Sequence, residues 1–493
     1  MMDHRMTGFR VAGIVAALVF AVLLGIRLDV WESFAARPRP LPTDADDRAR
    51  PRESWMNIFQ NNRKIGFSHS RLQPTDTGYE LEEKVAMRIN TMGMIQDLHL
   101  QTRSRLNRNL ALERFEFGME SGRFRFSARG EASGGVLSVR TEAAGDRRSI
   151  EMPVQAGIKP AAAVIDALAM ADLKPGRRYT FDVFDPAALT QIPVLVEVIG
   201  PEDLPVMGQS VPATKVSINF RGMIQTAWIG QNGDLLKERG LLGMRLEKTS
   251  RADALDDLGL EASQDLTELA LITPDRPIGS PGALKVLRVR IGGAPTEDLQ
   301  LQGGRQRVFD GVLTVRKESL EELPDVLTEQ SLPALERVYL KPEPFIQSDH
   351  PKIRAQVRSI LGNPSQMPPL LKARRLMDWI RANIERRPVL SLPDAVATLD
   401  NRMGDCNEHA VLFAALARAA GIPARVEAGV VYLRGKFYYH AWNLLYLGRW
   451  VTADALFDQL PADVTHIRFV TGSMQQSLDL VGLLGKLTIA ILE

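Results

Sequence analysis

From Trp55 onward apolar and polar residues alternate with a period of two, the pattern of strands with one buried and one wet face. Trp55–Gln60, the turn Asn61-Asn62 and Lys64–Leu72 predict a hairpin. Leu110–Met119, Arg123–Gly130, Val136–Thr141 and Ser149–Met152 continue it as an antiparallel meander, broken at Ser121-Gly122, Gly134-Gly135 and Gly145-Asp146. Pro160–Ala171 is the one stretch here with helical spacing. Strands resume at Tyr179–Val183, Val194–Ile199, Thr214–Phe220, Met223–Ile229 and Met244–Lys248. The pattern predicts an antiparallel β-rich domain over 54–272 and, after the Pro- and Gly-rich Thr273–Gly282, a small β module over 283–340 built from Leu284–Ile291, Gln306–Phe309 and Val312–Arg316.

Lys341-Pro342-Glu343-Pro344 marks another boundary, and the period then changes to that of helices. His350–Leu361 and Leu370–Arg386 are predicted helical, as is the segment after Cys406, where Val411, Leu412, Ala415, Leu416 and Ala419 recur at helical spacing before Gly421-Ile422-Pro423 stops it. Ala424–Leu433 and Phe437–Leu447 read as strands around the turn Arg434-Gly435-Lys436, and Gly448-Arg449 reverses the chain into Trp450–Asp454. The last segment, Leu478–Glu493, is apolar but carries Asp479 and Lys486, and is read as a strand or docking tail. Residues 341–493 thus form an α+β unit.

At the other end, Val11–Ile26 is apolar and uncharged, with Arg5 and Arg10 before it. Residues 1–35 are expected to be an N-terminal transmembrane anchor rather than a cleaved signal, since the small-x-small site Ser33-Phe34-Ala35 lies far beyond the apolar block. Positive charge ahead of the run places the rest of the chain outside the cytoplasm of a single-pass inner-membrane protein. The Pro-, Arg- and Asp-rich stretch 36–53 is the linker.

The 493 residues carry a formal net charge of +2. With no basic stripe interleaved with aromatics, a nucleic-acid partner is not expected. Cys406 is the sole cysteine, so no intrachain disulfide exists. It lies at the start of an apolar helix, where unpaired backbone N–H groups and the helix dipole favour an anion, so the thiol is expected to ionise readily. If the turn is centred near Leu447, His440 and Asp454 each lie seven positions away and face one another. A register slip of two residues would still leave them diagonal neighbours. Thiol, imidazole and carboxylate together make an acyl-transfer site. His409, on the same helical face as Cys406, and Asp458, one turn beyond Asp454, are the rival side chains. Asp405, Glu408 and His409 cluster without a recurrent ligand spacing, so neither metal nor cofactor is expected.

Gly404-Asp405-Cys406, the run Leu416–Arg425, His440-Ala441-Trp442 and Gly448-Arg449-Trp450 through Asp454 together resemble the transglutaminase-like superfamily, over roughly a quarter of the chain. The resemblance implies a papain-like fold with Cys406 as nucleophile, His440 as general base and acid, and Asp454 as the orienting carboxylate. It further implies acyl transfer on a protein or peptide substrate, either hydrolysis or cross-linking. Two positions depart from the family's pattern: Ala455-Leu456 stands where Pro-Thr is common, and Leu444 where an acidic residue is common. A catalytically silent envelope scaffold on the same fold is the alternative. The β-rich region resembles, in architecture alone, curved antiparallel sheets of bacterial envelope proteins that hold lipid-like ligands. A structural accessory role, or a surface for envelope protein partners, explains it equally.

Overall fold

A computed structural model describes residues 50–492 apart from 221–222, 241, 257–263, 295–298, 363–366 and 473–482. The expected anchor lies outside the described residues, among which no helix is long and apolar enough to cross a membrane.

Fifteen strands form one sheet between Arg52 and Thr249. Arg52–Gln60 sits at its middle, pairing antiparallel with Arg63–Pro74 on one side and Met244–Thr249 on the other. The chain winds outward to the edge strand Asp146–Pro153 and restarts at the opposite edge with Lys159–Pro160. Residues 154–158 alone connect those two edges, and so short a segment spans at most about 20 Å. The sheet must therefore be rolled. Phe115 and Phe184, from opposite halves, meet with ring centroids 5.0 Å apart. The helix Ala163–Ala169 packs inside the roll, contributing Ala163, Val164, Ala167 and Leu168 to a core drawn from both halves.

The meander predicted from period two is present, but its longest pair was not legible. Gly78–Thr91 and Met94–Asn107 run side by side for 14 residues each. The charged run Glu82-Glu83-Lys84 hides the alternation in the first of them. The helix expected over Pro160–Ala171 is shorter, Ala163–Ala169.

A four-stranded sheet follows, in the order Gln306–Phe309, Val312–Arg316, Val286–Gly292, Thr488–Ile491, so the last described strand returns to pair with Val286–Gly292. Between these, helices Pro351–Leu361, Pro369–Asn383, Ala395–Asn401 and Cys406–Ala419 pack on a sheet ordered Trp450–Ala453, Lys436–Tyr446, Ala424–Leu433, Ile467–Thr471. The Cys406 helix is apolar nearly all round, with Leu412 to Ala417 fully buried, which is why it sits between sheet and helices. The rolled sheet meets this domain at the loop before Ala395: Gln96 donates to the Pro388 carbonyl at 3.3 Å and accepts from the Leu390 amide at 3.2 Å.

Candidate active site

Asp405 caps the Cys406 helix. Its carboxylate accepts from the Asn407 amide at 2.8 Å, while Glu408 reaches back to accept from the Asp405 amide at 3.0 Å, a reciprocal capping box. Glu408 is held from behind by the Ser391 hydroxyl, which donates at 2.6 Å. Burial and the neighbouring Asp405 push the Glu408 carboxyl well above its ordinary range. Gly404 is required here, because a Cβ at that position would lie 2.2 Å from the Glu408 Cβ. The sequence Gly404-Asp405-Cys406-Asn407-Glu408 thus fixes where the helix begins.

Cys406 occupies the first helical position and is 9% exposed. It packs with Ala410 and with Ala441, the residue beside His440. The expectation of an easily ionised thiol is corrected. Burial raises the Cys406 pKa well above its ordinary value, and the negative charges of Asp405 and Asp454 add to that. The Ala441 backbone N–H, directed at the sulfur, opposes the rise without overcoming it. A helix start favours the thiolate, but here the loss of solvent around the sulfur outweighs it.

His440 and Asp454 come together, through a register different from the expected one. Tyr446 pairs with Trp450 and Asn443 with Ala453, so the turn centres on Gly448 rather than Leu447. The displacement is two residues, which preserves the face and makes Asp454 a diagonal neighbour of His440. His440 Nε2 donates to Asp454 Oδ2 at 2.6 Å. Its Nδ1 is then the ring atom left to meet the thiol. Asp454 Oδ1 accepts the Leu456 and Phe457 amides at 2.8 and 3.0 Å, a local turn that needs no proline at position 455. The rivals fall elsewhere: Asp458 is half exposed and lies 3.5 Å from Arg381, and His409 Nδ1 donates to the Asp405 carbonyl at 2.7 Å.

One partner escaped the sequence reading. His466 Nε2 donates to the same Asp454 Oδ2 at 2.9 Å, and its Nδ1 lies 3.4 Å from Asp463. Both ring nitrogens face carboxylates, which favours the charged ring: burial works against the charge, and Asp454 and Asp463 raise the pKa in spite of it. Burial likewise presses on Asp454, yet the two histidines hold its carboxyl far below the ordinary range. His466 arrives here because Gly429 admits the neighbouring strand; a Cβ on Gly429 would lie 2.0 Å from the Ile467 carbonyl oxygen. Its signal in sequence was the Asp463-Val464-Thr465-His466 turn, in which Asp463 accepts from Thr465.

Aromatic rings set the orientation of His440. Phe457 stacks on it at 4.7 Å between centroids and Trp442 lies at 6.1 Å, with the Trp442 indole donating to Glu427 at 2.9 Å. His440, Asp454 and His466 place three potential ligand atoms within 4.8 Å. Both imidazole Nε2 atoms are turned onto one carboxylate oxygen, an arrangement of a hydrogen-bonded chain. Chemically, the assembly can accept a proton from a thiol and keep the resulting imidazolium beside a fixed anion.

Residues 357–455 match the family model described as the Transglutaminase-like superfamily. Comparison with curated proteins gives no match. Among solved structures, a protein of Cytophaga hutchinsonii described as a candidate cysteine protease is similar at 19% identity, over 41% of this chain and 83% of that one, with a TM-score of 0.31. The periplasmic domain of TgpA from Pseudomonas aeruginosa is similar at 21% identity over 38% and 75%, with a TM-score of 0.23. A β-barrel-like protein of Brucella abortus is similar at 13% identity over 41% and 97%, with a TM-score of 0.33. None of these three reaches a TM-score of 0.5, so the family match and the residue pattern carry the assignment. Residues 357–455 are a transglutaminase-like domain.

Proposed function

We propose that the chain is a thiol enzyme tethered to the membrane by its apolar N-terminal segment, with its domains outside the cytoplasm, acting on peptide or glutamine side-chain amides. The observation that carries this is the bond from His440 Nε2 to Asp454, next to the residue whose amide is directed at Cys406. Because the resting thiol is neutral, His440 Nδ1 takes the Cys406 proton as the sulfur attacks the carbonyl carbon. The tetrahedral intermediate collapses by breaking the C–N bond, and the imidazolium returns that proton to the departing amine. Water or a second amine then attacks the thioester, giving up a proton to His440, and the thiolate leaves and is reprotonated. The Cys406 amide, which has no intrahelical acceptor at the first position of the helix, supplies one donor to the oxyanion.

Mass spectrometry of a glutamine-containing peptide incubated with the protein and a primary amine tests the reading. Deamidated, cleaved or amine-linked peptide that disappears with Cys406→Ala supports it; product formation unchanged in that variant overturns it. One observation favours a second reading, a catalytically silent scaffold: the thiol is buried and its pKa lies well above the ordinary value. In that case wild type and Cys406→Ala would both be inert toward the peptide and toward iodoacetamide.

A further inference from the structure

The rolled sheet lines a half-open cavity of about 670 Å³, and none of its lining residues belongs to the thiol site. Its volume falls in the roughly 300–1,000 Å³ range of small-molecule sites. Two rows of inward side chains cross the wall from strand to strand. One is mainly apolar, running through Met56, Ser68, Val85, Leu100 and Met119, with Ser68 its single polar member. The other is polar: Ser54 is opposite Ser70, Ser70 opposite Glu83, and Glu83 opposite Thr102. Ser104 lines the cavity one step further along its strand.

These polar groups are unlike those of an ordinary core. The Ser54 and Ser104 side chains are 4% and 5% exposed, and the hydroxyls of both have no hydrogen-bond partner among the described residues. A buried hydroxyl left unpaired costs about 1–3 kcal/mol, which a hydroxyl-bearing ligand in the cavity would recover. Beside them Arg52 is fully engaged, donating to both oxygens of Asp166 at 2.8 Å. Burial raises the Glu83 pKa to about 7, even with Arg52 nearby to lower it. The polar row therefore offers hydroxyls and a carboxyl that readily stays neutral, alongside a self-neutralised ion pair. Among the described lining residues there is no spare cation for an anionic head.

We propose that the rolled sheet binds a single-chain lipid with an uncharged, hydroxyl-bearing head, of the monoacylglycerol class, its head on the Ser54–Ser70–Glu83–Thr102 row and its chain along the apolar row. The chain's own apolar run at 11–26 is not the occupant. Its sixteen apolar residues carry no polar side chain to meet the Ser54–Ser70–Glu83–Thr102 row. The proposal is independent of the thiol chemistry.

The test is photocrosslinking of the full chain with a diazirine-bearing monoacylglycerol, followed by peptide mapping. Label is expected on Met94–Asn107 and Leu112–Ser121, and an excess of monooleoylglycerol should compete it away more strongly than oleate at pH 7. Val85→Trp, which fills the cavity, should cut that label about tenfold with melting unchanged. Should that variant fold poorly, Ser54→Ala with Thr102→Val serves: it should weaken capture of the acylglycerol several-fold while a diazirine alkane without a head is captured as before. Label confined to the apolar N-terminal segment, or label on the sheet that neither variant reduces, overturns the proposal. Oleate competing as well as the acylglycerol overturns the head-group assignment.

Discussion

In the thiol domain the buried Asp454 carboxylate meets two imidazoles, and its pKa is driven far below the ordinary range. In the rolled sheet the half-buried Glu238 has no comparable partner among the described residues, and desolvation lifts its pKa to about 7. Desolvation is the largest influence on both, so the partners decide the sign. The difference separates a polar network that is complete within the protein from polar groups facing a cavity. The first is a device whose parts hold one another in place. The second leaves its hydrogen-bonding capacity for something else.

Deleting the shared carboxylate should have the largest effect. Asp454→Ala strands a buried imidazolium between Asp463 and nothing, and breaking a buried charged pair costs about 3–5 kcal/mol. Urea unfolding followed by tryptophan fluorescence should show that loss, and turnover should fall by about 10²–10⁴ because His440 loses its orienting anion. Asp454→Asn, which keeps the shape, should recover part of the stability and little of the rate. A loss below about 1 kcal/mol would mean that the three side chains do not act as a unit.

Next in size is the pH response of the sheet. Glu238 is raised from 4.5 to about 7. A raised carboxyl favours the fold below its unfolded pKa, and that advantage is lost as pH rises through about 7, amounting to roughly 3 kcal/mol for such a shift. Glu238→Gln should therefore raise the melting temperature at pH 8 and leave it unchanged at pH 4. The signs are reversed at Asp454, whose lowered pKa contributes stability above the unfolded value and loses it only in strong acid. His466, raised, contributes below about 6.5 and loses its contribution as pH climbs through its higher folded value. Equal pH responses of Glu238→Gln and wild type would remove the contrast.

Much of the thiol domain was legible because its signals are local. Gly404-Asp405-Cys406-Asn407-Glu408 spells a capped helix start, and the distance from His440 to Asp454 survives an even register slip. His466 was not legible: its approach depends on Gly429 allowing a third strand close, a packing event with no periodic trace. The state of the thiol was misread for a related reason, since a helix terminus is visible in sequence and burial among carboxylates is not. In the sheet, alternation gave the meander, but the charged run at Glu82-Glu83-Lys84 concealed a 14-residue strand. Glu83 faces the cavity, so the residue that spoiled the pattern belongs to the proposed site.

His466→Asn offers a finer cut through the network. Asp454 keeps its bond to His440 but loses the second imidazole, a change of about 1–3 kcal/mol in stability. If His466 acts by positioning Asp454, kcat should drop while KM stays, and the acid limb of the pH–rate profile should move because His440 then faces a less compensated carboxylate. A purely structural role would lower the unfolding midpoint and leave the profile where it is.

The smallest effect lies where the two regions meet. Gln96 stands on the same strand face as Leu98, Leu100 and Thr102 of the cavity wall, and its amide grips the backbone of Pro388 and Leu390. One residue further along that loop, Ser391 donates to Glu408, which caps the Cys406 helix. A single strand thus runs from the cavity to the segment that holds the Cys406 helix. Gln96→Ala removes two hydrogen bonds that are partly accessible to solvent, and about 1 kcal/mol of global stability should go with them. Local opening should respond more: hydrogen exchange at Leu390 and Ser391 should quicken while the centre of the Cys406 helix stays protected. If occupancy of the cavity reaches the thiol, added monoacylglycerol should slow exchange at those two amides in wild type and not in Gln96→Ala. Identical exchange in both proteins, with and without the lipid, would show two regions that share a border and nothing more.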